Sequence, residues 1–291
     1  MQLDFVSKRG DVLPLVNNKF FVLSADGLTA ATTSISSNVI GGVDGDTVNN
    51  IQAQPRGIIL DLTIRPEVDV DEAKREILRV VKLKQNGALL WNYKGRTITI
   101  SGKVESIEMP RFTENAVMQI SFYCSQPFWE DVQHIYTQIN EAVDLHYFTE
   151  KHADMLYFPE EGIVLGEIDT IRTKTLYNAG DVATGLEITI VALDTVTNPI
   201  IYDENGDFFG IGYETDHIAR PFVMQAGDTV IITTHKGNKT VKFNGVSVLD
   251  LIKPQSKWLQ LETGDNTFTI NSSEESITNM NFNISYKQRY I

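Results

Sequence analysis

The residues that could carry chemistry are few and scattered. The five histidines are His134, His146, His152, His217 and His235. None stands in a zinc-type pair such as H-E-x-x-H or close to a cysteine. His146 and His152 are six residues apart, a spacing that gives useful ligand geometry neither on a helix nor along a strand. The sequence therefore predicts no metal site.

Three short segments are similar to parts of known motifs, and each lacks a part that the chemistry requires. Asp203–Asp207 begins like a calcium loop, but its glycine is at the fourth position instead of the sixth. Gly237–Thr240 is similar to the end of a P-loop, but Ile232 stands where the first glycine is needed. Gly245–Leu249 lacks the second glycine of a nucleophile elbow. We predict no catalytic residue and no cofactor site.

A nucleophilic cysteine is also not expected. Cys124 is the single cysteine, and it ends the alternating run Val117–Cys124, in which a buried thiol packs as a small hydrophobic group. Carboxylates are numerous enough that some pair would have the spacing of a glycosidase by chance. An enzyme is therefore kept as a minor alternative.

Composition narrows the class of protein further. The 291 residues are enough for two domains with a core each, and no apolar run approaches the roughly 20 residues of a membrane span. The formal charge of −13 repels nucleic-acid backbones, so sequence-specific nucleic-acid binding is not expected. The N-terminus lacks an apolar signal region. We expect the chain to be synthesised and folded in a cytoplasm.

The elements that would position any site are mostly strands. Gly41–Asn50 is rich in glycine and Asx residues and predicts a long exposed loop, a common place for function. One helix is predicted over Asp69–Asn86, capped by Asp69 and stopped by Gly87. A three-stranded meander should follow it, over Gly87–Tyr93, Arg96–Met109 and Asn115–Cys124.

The second half shows a different pattern. Residues 131–170 are the least regular and predict a linker region, with a short helix over Asp131–Val143. Beyond it, turn signals recur every 8 to 12 residues, as in an antiparallel sandwich. The predicted domains are 1–130, a β domain with one inserted helix, and 171–291, an antiparallel β-sandwich. Trp258 is the aromatic residue that we expect to be exposed and able to stack on a sugar.

The order of these parts resembles the phage distal tail proteins of the siphophage-tail family. In the first half, the resemblance is carried by 41–46, Arg56–Leu62, Ile77–Val81, Tyr93–Arg96, Gly102–Val104 and Phe122–Trp129. In the second half, it is carried by Tyr177–Asp181, Asn198–Ile200, Ala226–Asp228, Lys239–Gly245, Leu261–Phe268 and Tyr286–Tyr290. Together these segments span most of the chain outside roughly 130–170.

The resemblance implies a structural subunit located at the tail tip, or baseplate, of a virion. It implies a homohexameric ring made by an N-terminal β-sandwich and a galectin-like or carbohydrate-module-like second domain. Implied partners are the tail tube protein, the tail-tip hub or tail-associated lysin, and a receptor-binding protein. The resemblance does not distinguish among flexible tails, contractile tails and tail-like bacteriocin particles. The alternative function is a carbohydrate-binding module that attaches to host surface polysaccharide. The candidate interface loop comprises Gly41, Gly42, Asp44, Gly45 and Asp46.

Overall fold

A computed structural model describes most of the chain. The described residues are 2–29, 31–39, 41–42, 44–93, 95–109, 117–139, 142–144, 166–168, 173–214, 219–273 and 276–291. They divide into two compact units. The first unit comprises Met1–Gln133 together with Arg289–Ile291, and the second comprises His134–Gln288.

The first unit is a β-sheet with one helix. Its helix is α1 (Val70–Val80). Its strands are β1 (Gln2–Ser7), β2 (Val12–Pro14), β3 (Phe20–Asp26), β4 (Thr33–Val39), β5 (Asp46–Ala53), β6 (Arg56–Ile64), β7 (Asn86–Tyr93), β8 (Arg96–Glu108), β9 (Val117–Cys124), β10 (Trp129–Asp131) and β27 (Arg289–Tyr290). The main sheet has the antiparallel order β2-β1-β7-β8-β9-β6-β3, and β10 pairs with both β8 and β27. β4 and β5 form a separate two-stranded sheet.

Buried and exposed side chains alternate along the strands that form the core of this unit. Along β6, the side chains of Ile58, Leu60, Leu62 and Ile64 are buried while their neighbours are partly or fully exposed. This period of two is what a strand requires to bury one face. The buried side of α1, which includes Ile77, joins the same core.

The helix begins as predicted but ends six residues earlier. The Asp69 side chain accepts a hydrogen bond from the Glu72 backbone N–H at 2.9 Å, which confirms the N-terminal cap. Val81 is already extended and completely buried, and Lys84 has a φ of 62°. Burial of Val81 thus overrides local helix propensity.

Gly87 does not stop the helix. It lies in β7, and a Cβ atom there would be 2.4 Å from the Phe5 ring. Its lack of a side chain allows this close packing of ring against backbone.

The C-terminal residues of the chain complete the first unit. β27 pairs with β10, so that Trp129 lies opposite Tyr290 and Glu130 opposite Arg289. The guanidinium group of Arg289 donates from Nε and from a terminal nitrogen to one Glu130 carboxylate oxygen, at 2.8 and 2.6 Å. The Tyr290 hydroxyl donates to the Asp131 carboxylate at 2.9 Å.

The second unit consists of strands in several antiparallel sheets. Its strands are β11 (Ile135–Ile139), β12 (Ala142–Asp144), β13 (Gly166–Ile168), β14 (Thr173–Asn178), β15 (Thr184–Ala192), β16 (Val196–Tyr202), β17 (Phe208–Gly210), β18 (Tyr213–Glu214), β19 (Ala219–Arg220), β20 (Val223–Met224), β21 (Thr229–His235), β22 (Asn238–Phe243), β23 (Val246–Ser247), β24 (Gln260–Leu261), β25 (Gly264–Ser273) and β26 (Met280–Tyr286). Short 3-10 turns occur at Leu249–Leu251 and Ser276–Asn279. The two larger sheets have the orders β11-β26-β15-β21-β22-β23 and β14-β25-β16-β17. Both contribute to one hydrophobic core, as Ile284 and Phe268 illustrate.

The helix predicted over Asp131–Val143 is wrong, because β10, β11 and β12 lie in this stretch. β11 pairs over its whole length with Phe282–Tyr286 of β26, more than 140 residues later in the chain, and buries Ile139. That distant partner cannot be read from local spacing.

The predicted fold class is confirmed: the protein is mainly β, with one inserted helix among the described residues of its first half and an antiparallel sandwich in its second. No helix among the described residues is long and apolar enough to cross a membrane.

Candidate assembly surface

Among the described residues of the first unit, the β4–β5 hairpin is the least buried part. Its strands pair only with each other and join β3 to β6 in the chain. Every residue of β4 is exposed, as is every residue of β5 except the partly buried Ala53. An isolated two-stranded hairpin is marginally stable in water. A hairpin that is exposed and not paired with the main sheet is suited to contact with another protein surface.

The two faces of this hairpin differ in polarity. Ile35 lies opposite Ile51, Ser37 opposite Val48, and Val39 opposite Asp46. Since side chains alternate along a strand, these pairs share one face. We call the four aliphatic side chains Ile35, Val39, Val48 and Ile51 the hairpin's apolar face. The opposite face carries Ser34, Ser36, Asn38, Thr47, Asn50 and Gln52.

A bulge keeps the apolar face continuous. The register shifts between Ser36, which pairs with Asn50, and Ser37, which pairs with Val48. The extra residue, Asn49, therefore moves Val48 onto the same side as Ile51. Without this bulge, the Val48 side chain would lie on the polar face of the hairpin.

The apolar face is largely uncovered. The exposed fractions are 61% for Ile35 and Ile51, 50% for Val48 and 81% for Val39. Single exposed aliphatic residues are ordinary on protein surfaces, whereas a contiguous set on one face marks an interaction site. The hairpin is therefore amphipathic, and its apolar face is exposed to solvent in the single chain.

The predicted interface loop lies at the tip of this hairpin. Gly42 and Gly45 have φ angles of 85° and 94°, a region that favours glycine. Gly41, Asp44 and Asp46 are exposed. The loop is shorter than the predicted Gly41–Asn50, because Asp46–Asn50 belong to β5. An interface role for the tip remains a prediction.

Trp258 is half buried in the second unit. Its ring packs against Phe209 with centroids 4.9 Å apart, and the Lys239 ammonium lies 5.6 Å from its centroid. It also lines a cleft of about 240 Å³ together with acidic and amide residues. The carboxylates of that cleft belong to Asp203, Glu204, Asp207 and Glu262. Sugar stacking by Trp258 remains a prediction.

The remaining chemical candidates are not assembled into a site within the described residues. No group of three or more His, Cys, Asp or Glu side chains there is placed to hold a metal ion. His146, His152 and His217 lie outside the described residues. Cys124 is buried, and desolvation raises the pKa of its thiol to about 11 despite the nearby Arg56. A thiol in this state is a poor nucleophile at neutral pH.

The fold and this surface define a class of protein: a mainly β chain of two units, with a hairpin whose apolar face is uncovered. Within that class, residues 179–290 match the family model described as the C-terminal domain of the siphovirus-type tail component. The sequence has no significant match among curated proteins. The family signature thus covers most of the second unit.

One solved phage structure extends the similarity in fold to the whole chain. The Dit (gp 19.1) protein of phage SPP1, described as a paradigm of the hub of the adsorption apparatus in phages that infect Gram-positive bacteria, aligns over 99% of both chains with a TM-score of 0.67 and 14% identity. The phage P2 baseplate in its activated conformation with Ca aligns over 99% of this chain and 97% of that chain, with a TM-score of 0.49 and 10% identity. The fold is that of the SPP1 protein, and the resemblance to phage distal tail proteins is confirmed.

Proposed function

We propose that this chain is a structural hub subunit of a phage tail tip or of a related tail-like particle. Copies of it form a hexameric ring that joins the tail tube protein to the tail-tip hub or tail-associated lysin. The ring also offers a docking surface to a receptor-binding protein. The single observation that carries the proposal is the uncovered apolar face of the β4–β5 hairpin, which needs a protein surface to cover it.

Two lines of similarity support the hub role over other structural roles. The second unit matches the siphovirus-type tail component, and the complete chain has the fold of a protein described as a hub of an adsorption apparatus. In our proposal, the first unit forms the ring and the second unit forms a peripheral sandwich. No step of this role requires a catalytic residue, a metal ion or a cofactor.

A second copy of the chain is the occupant that we assign to the hairpin's apolar face. Its four aliphatic side chains are of the size that buries well at a subunit interface, where each contributes about 1.5–3 kcal/mol when fully covered. Six identical contacts close a ring when each subunit contributes two different, complementary surfaces. The hairpin would be one of the two surfaces in each subunit.

The test compares two neighbouring residues on opposite faces of β5. Ile51→Asp places a charge on the apolar face, and Asn50→Asp places the same charge on the polar face. We expect native mass spectrometry to show the wild type and Asn50→Asp as hexamers and Ile51→Asp as a monomer. Loss of one buried isoleucine weakens each contact by about tenfold or more.

The control for folding is the thermal unfolding of the variants. Because both positions are exposed, all three proteins should unfold at similar temperatures when diluted below the concentration at which they assemble. If Ile51→Asp assembles as well as the wild type, the hairpin face is not the assembly surface. If the wild type itself remains monomeric up to its solubility limit, the proposed ring is refuted.

A carbohydrate-binding role for the second unit is the alternative, and the cleft beside Trp258 is the observation that favours it. Polar side chains converge there beside an aromatic ring, as they do in many small-molecule sites. Host surface polysaccharide would be the ligand. Titration with purified cell-wall polysaccharide should quench Trp258 fluorescence in the wild type but not in a Glu262→Ala variant. Binding by neither protein would remove this alternative.

A further inference from the structure

A second surface of the first unit is basic in an otherwise acidic protein. An open cleft of about 680 Å³ lies between the β1–β2 turn and the segment that follows α1. Five of the chain's 25 basic residues line it, with Asp11 as the acidic member: Lys8, Arg9, Arg79, Lys82 and Lys84. The formal charge of the chain is −13, so this concentration of positive charge opposes the overall balance. We call it the basic cleft.

The five cations of the basic cleft form no ion pair within the part of the chain that the structure describes. By contrast, Lys19 of the same unit pairs with Glu72 and Glu76. Like charges held close together repel one another and attract acidic partners. The cleft is therefore suited to receive carboxylates from another surface.

The basic cleft is also partly apolar. Val12 and Leu83 line it with exposed fractions of 56% and 57%. A surface with aliphatic residues among cations is complementary to one with aliphatic residues among carboxylates. The β4–β5 hairpin has that composition, since its apolar face ends at a tip carrying Asp44 and Asp46.

The topology places these two surfaces at opposite edges of one sheet. β2 and β1 lie at one edge of the order β2-β1-β7-β8-β9-β6-β3, and the basic cleft adjoins their connecting turn. The hairpin connects β3 and β6, which lie at the other edge. A head-to-tail interface, the kind that forms rings, needs two complementary surfaces on different sides of a subunit.

We propose that the basic cleft receives the hairpin of the neighbouring copy of this chain. Asp44 and Asp46 lie against the cleft's cations, and the hairpin's apolar face covers Val12 and Leu83. This inference rests on the proposed ring and names the two surfaces that form it. It also gives a role to the five cations that line the cleft.

A charge-swap experiment on the full chain tests the pairing. Asp44→Lys with Asp46→Lys makes the tip basic, and Lys8→Glu with Lys82→Glu makes the cleft acidic. Each double variant alone should raise the dissociation constant of the assembly at least tenfold, and the four changes together should restore it. All four positions are exposed, so thermal unfolding of the unassembled protein should stay unchanged.

Matched controls carry the same charge changes in the second unit. They are Asp194→Lys with Asp265→Lys, and Lys236→Glu with Lys242→Glu, all at exposed positions. These should leave assembly unchanged, which separates local pairing from net charge.

Two failures can be told apart. If both swapped surfaces assemble like the wild type while Ile51→Asp does not, the basic cleft is not the acceptor, although the hairpin still assembles the ring. The same conclusion follows if the four changes together fail to restore assembly. If the wild type never assembles, the proposed function fails as well.

Discussion

Replacing Tyr290 by alanine should destabilise the first unit, although the residue is next to last in the chain. Its ring is 8% exposed, lies opposite Trp129 in the β10–β27 pair and is stacked by Arg96, whose guanidinium carbon is 4.6 Å from the ring centroid. Its hydroxyl donates to Asp131. The C-terminal residues therefore act as part of a unit formed mainly by residues 1–133.

The magnitude follows from these contacts. Burial of an aromatic side chain contributes about 1.5–3 kcal/mol. A hydrogen bond to a charged group contributes about 1.5–3 kcal/mol when buried, and less here because Asp131 is only partly buried. We expect Tyr290→Ala to lower the free energy of unfolding of the first unit by about 2–4 kcal/mol. Tyr290→Phe, which keeps the ring, should cost about 1 kcal/mol.

Urea unfolding followed by tryptophan fluorescence provides the assay. Trp91 and Trp129 lie in the first unit and Trp258 in the second, so a Trp258→Phe background reports on the first unit alone. Ile291→Ala is the control, because that neighbouring side chain is 52% exposed. The reasoning is refuted if Tyr290→Ala leaves the transition of the first unit unchanged, or if Ile291→Ala shifts it equally.

Three further outcomes are expected. Gly87→Ala should lower the free energy of unfolding of the first unit by about 1–3 kcal/mol in chemical denaturation, because the new methyl group would overlap the Phe5 ring. Gly57→Ala is the control and should cost far less, because the space around its Cβ is open. Asp69→Ala should cost about 1 kcal/mol through loss of the helix cap, also read by denaturation. The Cys124 thiol should resist iodoacetamide at pH 8 in the folded protein and react on unfolding, as mass spectrometry would show.

The raised pKa of the Cys124 thiol also predicts the direction of a pH effect. The folded state holds the thiol proton up to about pH 11, while the ordinary value is 9.0. Between these values the folded protein binds more protons than the unfolded one, so stability falls as pH rises. A Cys124→Ala variant should show a smaller fall of the unfolding midpoint between pH 9 and 11. An equal fall in both proteins would show that the thiol does not cause it.

The strands whose partners are near in sequence could be predicted from the sequence alone. β7 and β8 face each other across a short turn, and β6 shows clean alternation from Ile58 to Ile64. The cap at Asp69 is a local hydrogen bond with a local signature. In each case the determining interaction lies within a few residues of the chain.

The missed features depend on distant partners. β11 is a strand because β26 lies beside it, and Tyr290 is buried because β10 lies beside β27. Neither partner can be inferred from the spacing of nearby apolar residues.

The hairpin could have been found more fully from sequence. Ile35 and Val39 alternate with serine and asparagine, as Val48 and Ile51 do across a one-residue bulge. The glycine-rich tip predicts only a loop, whereas the amphipathic strands beside it are the stronger indication of an interaction surface. The basic cleft could not be predicted, because Lys8 and Lys82 come together only in the folded unit.

The central claim is that copies of this chain assemble through the β4–β5 hairpin. The most direct measurement is a single-particle electron cryomicroscopy structure of the assembled wild-type protein. The account predicts a six-membered ring in which Ile35 and Ile51 of each hairpin are covered by the neighbouring subunit. A ring whose hairpins remain open to solvent, or are covered only by their own subunit, would contradict it.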